Sequence, residues 1–255
     1  MKISIIGSGN VATHMAMAMK LAGNDIIQVY SHTLEHAQVL AGRLGCDATD
    51  SVEGLSADAD VYVFSIKDDH IRGVAEQLAQ RQGFADKVFI HTAGSIPMDV
   101  FRGLTAHYGV LYPMQTLSKS RSIDFRKVPC FTEASDPQTM DIINELADGI
   151  TDRKQEASSE TRRRMHLAAV FASNMTNHCY RMAERIVSKE GIDFSLFLPL
   201  IEETAKKVTE MKPKEAQTGP MVRNDIGVMN SQLELLEDER MRSIYRLMAE
   251  SIYND

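Results

Sequence analysis

The stretch that most constrains this chain is its beginning, Ile3-Ser4-Ile5-Ile6-Gly7-Ser8-Gly9-Asn10-Val11-Ala12. Four residues of strand character run straight into G-x-G-x-x-A, and a helix-period segment, Val11–Ala22, follows. Gly7 permits a tight turn at the strand end. Gly9 removes a side chain that would block a pyrophosphate, and Ala12 lets the helix lie close to the strand. The start of that helix offers unpaired N–H groups and a positive dipole end to an anion. The motif therefore predicts nucleotide binding by Gly7, Ser8, Gly9, Asn10 and Val11, provided that the surrounding chain is built of βαβ units. A glycine turn that merely packs is the alternative.

The rest of the first half supplies that setting. Ile3–Ile6, Asp25–Ser31, Asp60–Ile66, Lys87–Thr92, Tyr108–Tyr112 and Pro129–Thr132 are brief apolar runs, as expected of strands buried on both faces of a largely parallel sheet. Helical periods at Leu34–Leu44 and Ile71–Gln80 fall between them. Twelve of the 15 glycines lie between Gly7 and Gly149. Beyond residue 153 the pattern changes. Glu160–Lys189 contains neither Gly nor Pro, and Ala168, Ala172, Met175, Cys179, Met182 and Ile186 form one apolar stripe at helical spacing. Ser158 or Ser159 can cap that helix, and Gly191 can end it. Further helical patterns lie at Leu200–Met211, Met221–Leu236 and Met241–Ile252. The expected fold class is α/β, with a Rossmann-type, mainly parallel sheet domain over 1–152. An all-helical domain over 153–255 follows it.

Charge and cysteine use exclude several functions. Lys plus Arg total 28 against 35 for Asp plus Glu, a net charge of −7 that argues against a non-specific nucleic-acid footprint. No apolar run approaches the ~18 residues of a membrane span, and the N-terminus lacks a secretory apolar region. Cys46, Cys130 and Cys179 lie too far apart for a disulfide framework or a zinc site. These features predict a cytoplasmic protein with reduced thiols, no metal and no membrane or nucleic-acid partner.

The second strand tests the choice of cofactor. NAD-binding chains usually place an acid about 20 residues after the glycines, to hold the ribose hydroxyls. Here that place reads Val29-Tyr30-Ser31-His32-Thr33, without an acid. Ser31, His32 and Thr33 can instead donate to a 2′-phosphate, which favours NADP. No arginine sits in the loop, and Arg43 lies one helix away. Two later strand ends, Ser65-Ile66-Lys67 and His91-Thr92-Ala93, are expected to complete the cleft, since ligands lie beyond the carboxyl ends of such strands. Asp68 and Asp69 read as helix caps, with an acid pair as the alternative. His91 is either structural or close to the nicotinamide.

On the long helix, His166, Val170, Asn174 and Asn177/His178 share one face. Met165–Ala172 is apolar nearly all round apart from His166, a pattern that predicts burial. His166 can donate a proton, and Asn174 can orient a substrate carbonyl. An interdomain hydrogen-bond network without chemistry is the alternative. Downstream, Thr218 resembles a cap with Pro220 in the first turn, which would put Arg223 at a helix start as an anion clamp, unless it pairs with a surface aspartate. Arg162-Arg163-Arg164 reads as a solvated positive face.

The ordered set GSGN, SIKDDHI, HTAGS, LYPMQTLS, HLAAVFASNMTNH and QTGPMVRND resembles the Rossmann-like proteins that carry a DUF2520 C-terminal domain. That group is similar to the wider superfamily of pyrroline-5-carboxylate reductase, ketopantoate reductase and the β-hydroxyacid dehydrogenases. The resemblance implies NADP on the first domain, a helical second domain and a homodimer formed through its helices. It does not carry over a mechanism. Ketopantoate reductases and β-hydroxyacid dehydrogenases hold a catalytic lysine four residues before an asparagine. Matching that asparagine to Asn174 puts Val170 at the lysine position, and valine donates no proton. The expectation is an NADP(H)-dependent oxidoreductase that reduces a small anionic carbonyl or imine in an interdomain cleft. His166 and Asn174 would be its catalytic residues, and Asn177, His178 and Arg223 its substrate ligands. The alternative is a nucleotide-binding sensor without redox turnover.

Overall fold

The computed structural model describes residues 1–255, and its contacts divide them into two units, Met1–Ser173 and Asn174–Asp255. The first unit runs β1 (Lys2–Ile6), α1 (Asn10–Leu21), β2 (Asp25–Tyr30), α2 (Leu34–Leu44), β3 (Asp47–Thr49), β4 (Val61–Phe64), α3 (Asp68–Ala79), β5 (Val88–His91), β6 (His107–Pro113), β7 (Cys130–Ala134), α4 (Pro137–Ile150), β8 (Lys154–Glu156) and α5 (Ser159–Ala169). The eight strands form one sheet in the order β3-β2-β1-β4-β5-β6-β7-β8. All neighbours are parallel except β6 and β7, which pair antiparallel from Gly109↔Ala134 to Pro113↔Cys130. This is the expected α/β sheet.

Alternation along the strands divides the core. Ile3, Ile5, Val29, Val61, Val63, Val88 and Ile90 face a cluster completed by residues of α1, α2 and α4. Ile6, Tyr62, Phe64 and Phe89 face the opposite way, onto α3 and Phe101. There Tyr62, Phe64, Phe84, Phe89 and Phe101 pack as tilted and edge-on pairs with centroids 5.0–5.8 Å apart. Every residue of β4 and β5 is buried, which is why those runs read as continuously apolar.

The chain order produces a reversal at β1. From β1 the sheet grows first through β2 and β3 on one side, and then through β4 on the other. The carboxyl ends of β1, β2 and β4 therefore splay apart around a crevice, where such sheets bind ligands. Directly after α5, Val170–Met175 is π-helical, so the long helix expected over Glu160–Lys189 contains a one-turn irregularity.

The second unit is all-helical: α6 (Thr176–Ser188), α7 (Leu198–Glu210), α8 (Pro213–Ala216), α9 (Ile226–Glu234) and α10 (Glu239–Asn254). Gly191, with φ +67°, ends the long helix, and the Ile192 N–H closes on the Val187 carbonyl at 3.1 Å. At Met221–Leu236 the chain departs from expectation. The helix begins only at Ile226, where the Asp225 carboxylate accepts from the Val228 N–H. Asn224 takes φ +51° just before it. Thr218 is thus no cap, and Arg223 sits in the preceding turn, exposed and in no ion pair. No helix is long and apolar enough to cross a membrane.

Burial of Met165–Ala172 is also corrected. Leu167 is 57% and Phe171 59% exposed in the single chain.

Candidate functional site

A cleft of about 930 Å³ lies along the carboxyl ends of β1, β2, β4, β5 and β6, and the first unit supplies its whole lining. Gly7, Ser8, Gly9, Asn10, Val11, Ser31, His32, Thr33, Ser65, Ile66, Lys67, Thr92, Ala93 and His166 all line it. Backbone bonds draw the loops together: Gly7 N–H to Tyr30 O, Ser65 N–H to Ile6 O and Thr92 N–H to Phe64 O, at 2.7–3.1 Å. Side chains tie them further. The Ser8 hydroxyl donates to Ser31 Oγ at 2.9 Å, and the Ser65 and Thr92 hydroxyls share a 2.7 Å bond.

The two glycines of the fingerprint do different work. Gly7 has φ +124°, and a Cβ there would stand 2.3 Å from the Ser65 carbonyl oxygen. It is fixed by the protein's own packing. Gly9 has φ −72°, ψ −170°, a conformation open to any residue, and a Cβ there would meet nothing within 4 Å. The chain itself does not require glycine at position 9; an occupant of the cleft would. Gly9 is also the N-cap of α1, which carries no side-chain cap bond and no acid in its first turn. Its leading N–H groups and dipole are left for an anion. The residues thus fit the pyrophosphate of a dinucleotide.

At the β2 end the cleft is lined by Tyr30, Ser31, His32, Thr33 and His36. Helix α2 also starts without a side-chain cap bond, at Thr33. Burial, and then the charges of Asp50 and Glu53, push the Tyr30 phenol up. Arg43 is in the last turn of α2, about 14 Å along the axis from its start, and does not line the cleft.

At the other end lie Ala93, Gly94, Ser95, Tyr112, Pro113, Gln115 and His166. Tyr112 is next to last in β6, and its hydroxyl is 2.9 Å from His166 Nδ1, with the two rings edge-on at 5.8 Å. Burial raises the Tyr112 phenol, and the Arg162 charge opposes that shift. Gly94 makes room for this pair, since a Cβ there would lie 2.5 Å from His166 Nδ1 and 2.9 Å from its Cβ. Two titratable groups in direct contact, on the wall of a cleft, can hold and pass a proton.

Behind this end sits a buried ionic cluster. Arg162 is 0% exposed and is paired with Glu133, and it also donates to the Ile96 carbonyl at 2.6 Å. Ser159 joins it, donating to Glu133 through N–H and hydroxyl at 2.8 and 2.7 Å. The cluster anchors α5 to β7, and so fixes where His166 projects. This corrects the reading of three solvated arginines: Arg163 and Arg164 are exposed, but Arg162 is structural.

Other expectations need similar revision. The His91 side chain is fully buried and does not reach the cleft. Its Nδ1 accepts from the Ala93 N–H at 3.2 Å, which leaves the proton of the neutral ring on Nε2. Burial first and the Arg162 charge second push its pKa down to about 3, while the Pro97 carbonyl opposes them. Asp68 and Asp69 do not cap α3, whose N-cap is Lys67; they lie in its first turn, and Asp68 accepts from the Ser95 hydroxyl. Asn174, Asn177, His178 and Arg223 belong to the second unit, all exposed, and are not among the residues that line this cleft. Sequence reasoning missed Tyr112, Gln115, Gly94 and His36. Tyr112 and Gln115 stand in LYPMQTLS, a run that carried the resemblance without being placed at the site.

Comparison with known proteins agrees with this geometry. Residues 2–94 match the family model described as NADP oxidoreductase, coenzyme F420-dependent, and residues 128–252 match the domain of unknown function DUF2520. A structure from Bacteroides fragilis, of a candidate NADP oxidoreductase, is 40% identical with a TM-score of 0.94, covering 100% of this chain and 98% of that one. Pyrroline-5-carboxylate reductase from Streptococcus pyogenes aligns over 100% of this chain and 99% of that one, at 15% identity and a TM-score of 0.64. The imine reductase of Myxococcus stipitatus, solved in complex with NADP+, covers 100% and 92%, at 16% identity and 0.64. At those two identities the likeness is one of fold. No curated protein matches the chain. The fold and the glycine cradle define a Rossmann-type protein, and the family model over residues 2–94 and the 40% identical structure put it with the NADP oxidoreductases. The chain belongs to the family that joins this domain to DUF2520.

Proposed function

We propose that the protein is an NADP(H)-dependent oxidoreductase that reduces a small anionic carbonyl or imine compound. The open space at Gly9, before an uncapped helix, carries this reading. There the chain can seat a pyrophosphate, and no packing need explains the glycine. Ser31, His32 and Thr33 line the β2 end of the cleft, where the adenosine ribose would lie and where the loop itself carries no acid against a 2′-phosphate. Ser65, Ile66, Lys67, Thr92 and Ala93 would line the path to the far end. A bound nicotinamide would supply or accept hydride.

At that far end His166 serves as proton donor, and Tyr112 holds its ring by the 2.9 Å bond and can refill its proton. With Val170 in place of a lysine, His166 is the proton source on the helix, and Tyr112 of β6 supports it. The test is a spectrophotometric assay of NADPH consumption against a panel of keto acids and cyclic imines. Consumption with at least one of them is expected. None across the panel, despite NADPH binding, would favour a sensor that binds nucleotide without turnover.

We further propose a cytoplasmic homodimer joined through the helical unit. Leu196, Leu200, Ile226, Leu235 and Leu247 are 58–81% exposed there, a density of large apolar side chains unusual for a monomer's surface. Sedimentation equilibrium should return twice the 28.4 kDa chain mass. A monomer at micromolar concentration would contradict it.

A further inference from the structure

We infer that the connection between β6 and β7 is a strap that gates the cofactor cleft, and that Asn10 and His14 of α1 are the positioning residues that latch it shut. The inference rests on the proposed function and goes beyond it, because it gives the entry and exit of the nucleotide a moving part. Antiparallel neighbours need only about 2–5 residues to turn. Here β6 ends at Pro113 and β7 begins at Cys130, so the connection runs from Met114 to Pro129, sixteen residues. Packing accounts for its second part, since Phe125 and Val128 are buried with Ala12, Met15, Ala16 and Met19 of α1. Its first part, Met114–Asp124, forms neither strand nor helix, and Leu117 alone in it is buried.

That first part does not stay at the β6 edge. Gln115 lines the cleft, and four residues later the chain is fastened to the start of α1. Helix α1 follows β1, which lies three strands from β6, about 14 Å across the sheet. The Lys119 N–H donates to Asn10 Oδ1 at 3.2 Å, and His14 Nε2 donates to the Ser118 carbonyl at 3.0 Å. Asn10 is the first residue of α1 and lines the cleft; His14 is one turn further along and does not. The segment thus bridges the cleft beside the helix start that would seat a pyrophosphate.

The latch is weak. Both bonds are exposed to solvent, where a neutral hydrogen bond contributes little net stability, so the strap opens far more readily than the fold unfolds. Asn10 and His14 hold the strap's own backbone, and they hold it alike with the cleft filled or empty. Loosening the latch therefore raises the open fraction in both states, which speeds entry and exit together without a change of affinity. A side chain that touched the nucleotide would instead change affinity through release.

The experiment compares full-length native protein with Asn10→Ala, His14→Ala and His14→Gln, the last able to donate its amide to Ser118. Tryptic cleavage after the exposed Lys119 and Arg121 is followed by mass spectrometry on the nucleotide-free proteins. Stopped-flow fluorescence follows NADPH association and release in the His14 variants. In His14→Ala, cleavage, association and release should each be about fivefold faster, the worth of one neutral hydrogen bond, with NADPH affinity and thermal unfolding near native. Asn10→Ala should speed cleavage by a similar factor, and His14→Gln should restore native rates. Native cleavage in the alanine variants would show that these bonds hold no strap. Faster cleavage with native NADPH rates would show that the strap gates nothing, and faster release with weaker binding would make His14 a ligand contact. Each of these results overturns the inference and leaves the proposed function standing. If the native protein takes up no NADPH, the proposed function fails and the gate with it.

Discussion

Replacing Gly9 with leucine is expected to lower affinity for every nicotinamide nucleotide by about 100-fold or more, while leaving the fold nearly as stable as before. The first half follows from what the pyrophosphate would lose. Hydrogen bonds to a charged group contribute roughly 1.5–3 kcal/mol each, and displacement from the start of α1 breaks more than one. The second half follows from the backbone. Gly9 is extended, at φ −72°, and a side chain there points into open space. As the N-cap of α1 the position favours glycine over leucine, so the change should cost no more than about 1 kcal/mol. Gly7→Ala is the contrasting control. It must place a Cβ against the Ser65 carbonyl from a backbone at φ +124°, and should cost about 2–4 kcal/mol through strain and collision. Calorimetric binding and thermal unfolding, measured on both variants, separate a ligand glycine from a packing glycine. Undiminished nucleotide binding by Gly9→Leu would remove the cradle.

The second large effect concerns the other end of the cleft. His166→Ala should cut turnover by about 100-fold or more and leave NADPH affinity close to native, since general acid catalysis contributes about 10²–10⁴ and the ring stands away from the phosphate cradle. Gly94→Ala should reproduce part of that loss with His166 still present. Its new methyl group would lie within 3 Å of the His166 Cβ, so the whole residue must shift and not merely its ring. Tyr112→Phe removes the hydroxyl bonded to Nδ1, and should give an intermediate defect. Steady-state kinetics on a substrate found in the panel read all three. Native turnover in His166→Ala would take the histidine out of the chemistry, and native turnover in Gly94→Ala would show that its placement is not critical.

Much of the first unit was legible because the signals there are local. Strands buried on both faces must be apolar throughout, and β1, β2, β4, β5, β6 and β7 stand close to where the apolar runs put them. Strands β3 and β8 carry no such signal. Each is three residues long and on a sheet edge, and β8 is Lys-Gln-Glu, so neither is more apolar than a loop. Helix α4 was missed despite a full signal, with Asp136 capping it, Pro137 in its first turn, and Ile143, Leu146, Ala147 and Ile150 buried at helical spacing.

The site divides along the same line. Its glycines, its strand-end hydroxyls and His166 were found from position within local motifs. Tyr112, His36 and Gly94 were not, because what qualifies them is a neighbour far away in sequence. Tyr112 meets His166 across 54 residues, and Gly94 matters only through the ring packed against it. The burial of Arg162 is likewise a tertiary fact. Beside two other arginines it reads as surface, until Glu133 of β7 is brought beneath it.

A crystal structure of the protein soaked with NADP+ tests the central claim most directly. The dinucleotide should lie with its pyrophosphate against Gly9 and the first turn of α1, and with C4 of the nicotinamide ring toward His166 and Tyr112. A dinucleotide bound away from Gly9, or one whose C4 faces neither of those side chains, would contradict it.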